Sequence, residues 1–211
     1  MNLHRITNAI AAENTYILEN DSHLILVDPG SDWPVIEASI RELNKPITAI
    51  LLTHTHYDHI MSLEKVRASF GQPPVYVSEN EASWLYSPVD NLSGQPRHDD
   101  LPDVICQPAE QLFQYDTAYD LDGFRFQVVQ TPGHSWGGVS FVFPEEELVI
   151  TGDALFRETI GRYDLPTGNF DQLISGIKDK LLTLPGHYQV YPGHGRDTTI
   201  SHEKVFNPFL R

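Results

Sequence analysis

The sequence predicts an α/β fold, and three observations predict it. Ile47 to Leu52 (I-T-A-I-L-L) is apolar and rich in β-branched residues, the mark of a buried strand. Ile60 to Phe70, just beyond it, carries Ile60, Leu63 and Val66 on one helical face. Strand-like and helix-like runs then alternate, as strands–helix–strand–helix followed by strands–helix–strand. That order suggests two αβ halves facing each other, with functional residues at the seam. A length of 211 residues suits one domain, residues 1–211, with a core large enough to need no staples.

From the N-terminus, Tyr16 to Leu18 and His23 to Val27 read as strands joined by a polar turn over Glu19 to Ser22. Asp28-Pro29-Gly30 ends the second strand, and Asp28 either orients a ligand in a site or serves the turn itself. Trp33 to Leu43 reads as a helix with Asp32 as N-cap and Pro34 in its first turn. The strand from Ile47 then runs into Thr53-His54-Thr55-His56-Tyr57-Asp58-His59, four metal-capable side chains within six positions. Alternate side chains of an extended backbone share a face, so His54 and His56 can grip one ion with Thr55 turned away. Entry into the following helix carries Asp58 and His59 round to a second position. One loop can thus offer two ligands to each of two ions. Imidazole with carboxylate suits zinc first, and iron or manganese as well.

Gly71 to Pro74 breaks the chain, and Val75 to Val77 reads as a short strand. Ser78 with Glu81 has the pattern of a capping box for a helix over Glu79 to Tyr86. The stretch 87–102 reads as a long polar loop, functional or mobile, with Arg97 and a solvated His98. Leu112-Phe113, Ala118 to Leu121 and Phe124 to Gln130 read as strands, with Asp122-Gly123 as a hairpin signal. The last of these runs into Pro132-Gly133-His134. Val139 to Phe143 and Leu148 to Thr151 flank a charged turn, and the second ends in Gly152-Asp153. A helix opens at Asn169 or Asp171 and runs to Leu182, and Tyr188 to Tyr191 is a strand that ends in Pro192-Gly193-His194. A Pro-Gly-His turn alone is weak evidence of a site. His134, Asp153 and His194, each at a strand end, together with the Thr53 to His59 loop, make a strong set.

Lysine plus arginine number 14 against 29 acidic residues, a formal net charge of -15. Such a field repels nucleic acid and anionic membranes, and no basic run offsets it. Cys106 is the one cysteine, so no intrachain disulfide forms, and it reads as a small buried apolar residue. No segment is long and apolar enough to span a membrane, and the first residues lack a signal-peptide core. A cytoplasmic enzyme acting on a small molecule is expected. Arg157 and Arg162, close after Asp153, are candidates to hold a substrate carboxylate, or else form ordinary ion pairs. Trp136 and Tyr163 read as core aromatics or pocket walls, and His4, His23, His187 and His202 as structural or solvent-facing.

Together these segments resemble the metallo-β-lactamase-fold hydrolases, and within them the short, single-domain relatives of hydroxyacylglutathione hydrolase (glyoxalase II). The likeness takes in Thr53 to His59, Pro132-Gly133-His134, Gly152 to Phe156, Ile160-Gly161-Arg162, Asp164 to Asn169, Pro192 to Gly195 and Glu203 to Leu210. It implies a four-layer αββα sandwich with two metal ions at one edge. His54, His56 and His134 would hold the first ion, Asp58, His59 and His194 the second, and Asp153 would bridge them. The implied chemistry is a shared hydroxide, made at neutral pH by ions ~3.5–4 Å apart, attacking a small thioester carbonyl. Asp58 would be both ligand and proton acceptor, and a thiolate of parent pKa about 8.5 leaves without a dedicated acid.

Three departures bear on substrate. The 211 residues hold no counterpart of the C-terminal helical domain whose basic residues help hold glutathione in full-length glyoxalase II. Gly195-Arg196 stands where those enzymes have a glutathione-contacting tyrosine, and Ile60-Met61-Ser62 replaces a glycine-rich turn. The same fold also carries mononuclear-iron persulfide dioxygenases and lactonases, which are the alternatives. A β-lactamase, an RNA-processing nuclease and a non-enzymatic binding module fit these residues less well.

Overall fold

The computed structural model describes all 211 residues. They gather into two compact units, Met1–Phe113 with Leu121–Gly123, and Gln114–Asp120 with Phe124–Arg211. The first unit is built on a six-stranded sheet: β1 (Asn2–Thr7), β2 (Asn14–Glu19), β3 (Leu24–Val27), β4 (Ile47–Leu51), β5 (Val75–Val77) and β6 (Gln111–Leu112), adjacent in that order. Strands β1 to β3 form an antiparallel meander, whereas β4, β5 and β6 run parallel to β3. Helix α1 (Trp33–Leu43) connects β3 to β4, and α2 (Leu63–Ser69) connects β4 to β5. Ile36, Ile40, Leu63 and Val66 from these helices pack on Ile17, Leu24, Leu26 and Ile50 of the sheet. The helical period thus meets the strand period in one apolar layer.

Differences from expectation in this unit have local causes. Asp32 makes no side-chain cap. Its carboxylate instead accepts from the Ala9 amide and the Ser31 hydroxyl, at 3.0 and 3.1 Å. The helix expected from Ile60 starts at Leu63, because Tyr57–His59 form a separate turn of 3-10 helix and Ser62 is tied to the Pro29 and Gly30 carbonyls. Glu79–Tyr86 is also 3-10 helix, and Ser78 does not cap it. The stretch 87–102 is pinned by the buried Asn91, whose side-chain amide donates to the carbonyls of Trp84 (3.0 Å) and Val104 (2.9 Å). Cys106 is buried, and burial pushes its thiol up to about 12, so it is inert filler as expected.

The second unit holds a sheet whose strands are β7 (Ala118–Leu121), β8 (Phe124–Gln130), β9 (Val139–Phe143), β10 (Leu148–Gly152), β13 (Gln189–Pro192) and β14 (Thr198–Thr199), adjacent in that order. A two-stranded hairpin, β11 (Leu155–Phe156) with β12 (Thr159–Ile160), follows β10. Helix α3 (Phe170–Gly176) continues into a wider π turn at Ile177–Leu181, and α4 (Ile200–Phe206) closes the chain. Leu173, Ile177, Leu181 and Ile200 pack with Val142, Val149 and Val190. Asn169 caps α3 by accepting from the Gln172 amide, as its position predicts. Strand β9 is antiparallel to both β8 and β10, and β13 is parallel to β10. So β8, β10 and β13 run in one direction and end at one edge of their sheet.

Arg67 on α2 is only 2% exposed. Its guanidinium donates to Glu64 (2.9 Å), to Glu110 (2.8 and 2.9 Å) and to the carbonyls of Gln107 and Pro108 (3.1 and 2.9 Å). It thereby holds the segment that delivers β6. Arg67→Ala should destabilise the protein by about 2–3 kcal/mol, at the low end for a broken buried ion pair because both carboxylates reach solvent. The midpoint of urea unfolding, at an unchanged slope, measures this.

Candidate metal centre

In the first unit the site grows from two parallel strand ends. Leu26 lies opposite Ile50 and Val27 opposite Leu51, so Asp28 and Thr53 leave the sheet side by side. The Asp28 carboxylate accepts from the Thr53 amide (2.8 Å), the Thr53 hydroxyl (2.5 Å) and the His59 Nδ1–H (3.0 Å). Thr53, having donated its proton to Asp28, accepts from the Nδ1–H of His54 at 3.1 Å. For His54 and His59 alike, Nδ1 is committed as donor and Nε2 carries the lone pair. A metal-binding imidazole needs that tautomer. Asp28 therefore orients the His59 imidazole directly and reaches the candidate ligand His54 through Thr53.

Thr55 is held on the opposite side. Its amide and hydroxyl donate to the Glu81 carboxylate at 2.8 and 3.1 Å. Glu81 is fully buried and is engaged here instead of in a capping box. With Thr55 pulled one way, the extended chain turns His54 and His56 the other way, their ring centroids 4.7 Å apart. The His56 ring lies stacked against Trp84. The Tyr57 amide donates to the Asn91 carbonyl at 2.8 Å, which starts the 3-10 turn that brings Asp58 Oδ2 within 4.0 Å of His59 Nε2. Glu13, at the start of β2, reaches the same edge because β2 runs antiparallel to β3. Burial pushes the Glu13 carboxyl well above the usual carboxylate range.

In the second unit the three co-directional strands deliver one candidate each. His134 follows β8, Asp153 follows β10 and His194 follows β13. The Gly193 amide donates to the Gly152 carbonyl at 2.8 Å and sets the last two side by side. Asp153 Oδ2 lies 3.4 Å from His134 Nε2 and 3.2 Å from His194 Nε2. The His134 Nδ1–H donates to the Arg162 carbonyl at 2.8 Å, so its Nε2 also carries the lone pair. Two glycines permit this packing. Gly133 has φ +124°, and a Cβ there would strike the backbone of Leu173 and Asn169 at the head of α3. A Cβ on Gly161 would strike the Asp153 carbonyl. Imidazole and carboxylate donors of this kind suit a divalent ion.

A family model described as the metallo-beta-lactamase superfamily matches residues 11–194. The chain belongs to the metallo-β-lactamase superfamily. It is 63% identical over 210 residues to a probable metallo-hydrolase of Streptococcus pyogenes serotype M6, covering 100% of this chain and 90% of that one. It is 33% identical to the hydroxyacylglutathione hydrolase GloC of Haemophilus influenzae, over 100% of this chain and 98% of that one. Among solved structures, the BLEG-1 B3 metallo-β-lactamase superposes with a TM-score of 0.93 at 36% identity, covering 99% of each chain. The fold expected from the resemblance is thus the fold observed. The chain is a metallo-hydrolase of this superfamily, and no helix is long and apolar enough to cross a membrane.

Other candidates of this metallo-β-lactamase chain fall outside the clusters. The Arg162 guanidinium is engaged bidentately by Asp164 at 2.8 and 2.9 Å, while Arg157 lines an open cleft. Trp136 and Tyr163 are 55% and 42% exposed, which excludes the core-packing reading. His98 pairs with Asp100 (3.1 Å) and lies against Tyr57 of the ligand loop. His4, His23, His187 and His202 each pair with a carboxylate near the surface, as expected. The sequence reading missed Glu13, Glu81 and Asn91.

Asp28→Asn should weaken metal retention about 10- to 100-fold, the usual effect of removing a ligand's hydrogen-bond partner. Metal content by mass spectrometry after dialysis against graded chelator measures it. Unchanged retention would mean that Asp28 only shapes its turn.

Proposed function

We propose that the chain works as one metallo-β-lactamase-like domain in which both units' clusters hold a single pair of divalent ions and hydrolyse a small thioester. His54, His56 and His134 take the first ion, Asp58, His59 and His194 the second, and Asp153 lies between them. The observation that carries this reading is the shared tautomer. In both units the Nδ1 of a candidate histidine is tied to an acceptor from its own unit, which leaves Nε2 for metal. Two such ions, zinc first and iron or manganese otherwise, would lower the pKa of a shared water towards ~7 and polarise the scissile carbonyl.

The residues supply the rest. Asp28 and the Arg162 carbonyl orient imidazoles. Asp58, buried yet at the edge of the loop, accepts the proton of the attacking water. The leaving thiolate needs no acid, which agrees with the lack of a separate proton donor in the ligand loops. A thioester of hydroxyacylglutathione type is supported by the full-length likeness to GloC. Lactones and β-lactams present the same kind of carbonyl, and the likeness to BLEG-1 makes the β-lactam the second reading. A mononuclear-iron persulfide dioxygenase would need only two histidines and an aspartate of this set.

The protein purified without chelator should contain two metal ions per chain and hydrolyse S-D-lactoylglutathione faster than a lactone or a chromogenic cephalosporin. One iron per chain, with oxygen consumed on a persulfide, would replace this reading with the dioxygenase. Asp58→Ala should lower kcat/KM about 10²- to 10⁴-fold, the range for a lost proton acceptor. Full activity together with full metal content in that variant ends the mechanism.

A further inference from the structure

Arg157 and Arg196 are separated by 38 residues of sequence but line the same cleft, of about 520 Å³, together with Glu158. Both are exposed. Arg157 sits in the turn of the β11–β12 hairpin, one residue after Phe156, whose ring lies edge-on to His194 with centroids 6.0 Å apart. Arg196 stands two residues after His194. The cleft therefore opens beside a candidate metal ligand.

Four other arginines of the chain are spent on carboxylates: Arg41 on Glu37, Arg67 on Glu64 and Glu110, Arg125 on Asp120 and Glu145, and Arg162 on Asp164. These two are not. Arg157 Nε approaches Glu158 Oε1 only to 3.8 Å, and that oxygen is already held by His202 Nε2 at 2.8 Å. The loops that carry the arginines share a fixed anchor. Glu203 of α4 is fully buried, and its carboxylate accepts from the Glu158 amide (2.9 Å), the Thr198 hydroxyl (2.6 Å) and the Asn207 side chain (2.9 Å). Asn207 also donates to the Thr159 carbonyl at 3.0 Å. One buried carboxylate thus fixes the hairpin beside Arg157 and the strand just after Arg196. In a chain of net charge -15, two unspent guanidinium groups on anchored loops are a local reversal of sign.

The geometry points to an anion-binding cleft in which Arg157 and Arg196 hold a carboxylate of the substrate, so that the substrate class is an anionic thioester. This rests on the thioester reading above and narrows it. Guanidinium groups present paired N–H donors matched to a carboxylate, and the one carboxylate that shares the cleft, Glu158, has its Oε1 held by His202.

Two matched substrate pairs test it on the metal-loaded enzyme. S-D-lactoylglutathione against its diethyl ester places the charge on the thiol side. S-succinyl-N-acetylcysteamine against its methyl ester places it on the acyl side. In at least one pair the charged member should have the lower KM, and Arg157→Ala and Arg196→Ala should each shrink that KM ratio about tenfold, the worth of one charge-assisted hydrogen bond. Glutarate binding by calorimetry supplies a readout independent of turnover, and each variant should weaken it about tenfold by the same conversion. If no thioester is turned over but glutarate binding falls in both variants, the cleft stands and the thioester reading fails. No preference in either pair, or a preference and a glutarate affinity that both substitutions leave intact, overturns the cleft.

Discussion

The carboxylate of Asp28 holds the ligand loop in its conformation. It is 1% exposed, and a carboxylate at that depth is tolerated only where donors surround it. The Thr53 amide, the Thr53 hydroxyl and the His59 imidazole are those donors. A loop following any other path from β4 would strand a buried charge. Glu81 imposes the same constraint on Thr55 two residues on. Two acids from distant segments therefore clamp the loop from opposite sides, and the histidines point where the clamped backbone sends them. Glu13 lies in the same buried neighbourhood, and burial pushes its carboxyl well above the usual carboxylate range.

Much of the site was legible because its logic is periodic. Strands of β-branched and apolar residues, each stopping at a glycine or a ligand, mark where side chains leave a sheet. Co-directional strands then bring such ends together whatever their distance in sequence. His134, Asp153 and His194 needed only that rule. Residues that act through hydrogen bonds from other segments carried no such mark. Glu81 sits three places after Ser78 and so mimics a capping box, yet the buried Thr55 amide claims its carboxylate. Asp32 sits where an N-cap belongs, yet the Ala9 amide claims it. Glu13 precedes an antiparallel strand, so it lies at the site edge by the start of β2, a position that a search of strand ends passes over. For Glu81 and Asp32 a local pattern predicted a local partner, and tertiary burial offered one whose loss would have cost more.

The two halves of the ligand set also differ in what holds them. In the first unit four candidates come from one loop, and their geometry follows from a handful of contacts to Asp28, Glu81 and Asn91. In the second, each candidate comes from a different strand, and their approach depends on the register of β8, β9, β10 and β13. The amide of Gly193 on the carbonyl of Gly152 expresses that register at the site itself. Asp153 meets both histidines only once β8, β9, β10 and β13 have paired, the last two with Leu148 opposite Gln189, so this half depends on long-range pairing. The hairpin β11–β12 and helix α4 are placed by the same pairing, because Gly161 closes against Asp153 and Glu203 reaches the hairpin tip. Metal affinity and substrate contacts in this unit are therefore properties of the finished sheet. On the proposed reading, a substitution that loosens β13 or α4 acts on both together, whereas one in the Thr53 to His59 loop acts on metal and, at Asp58, on proton transfer.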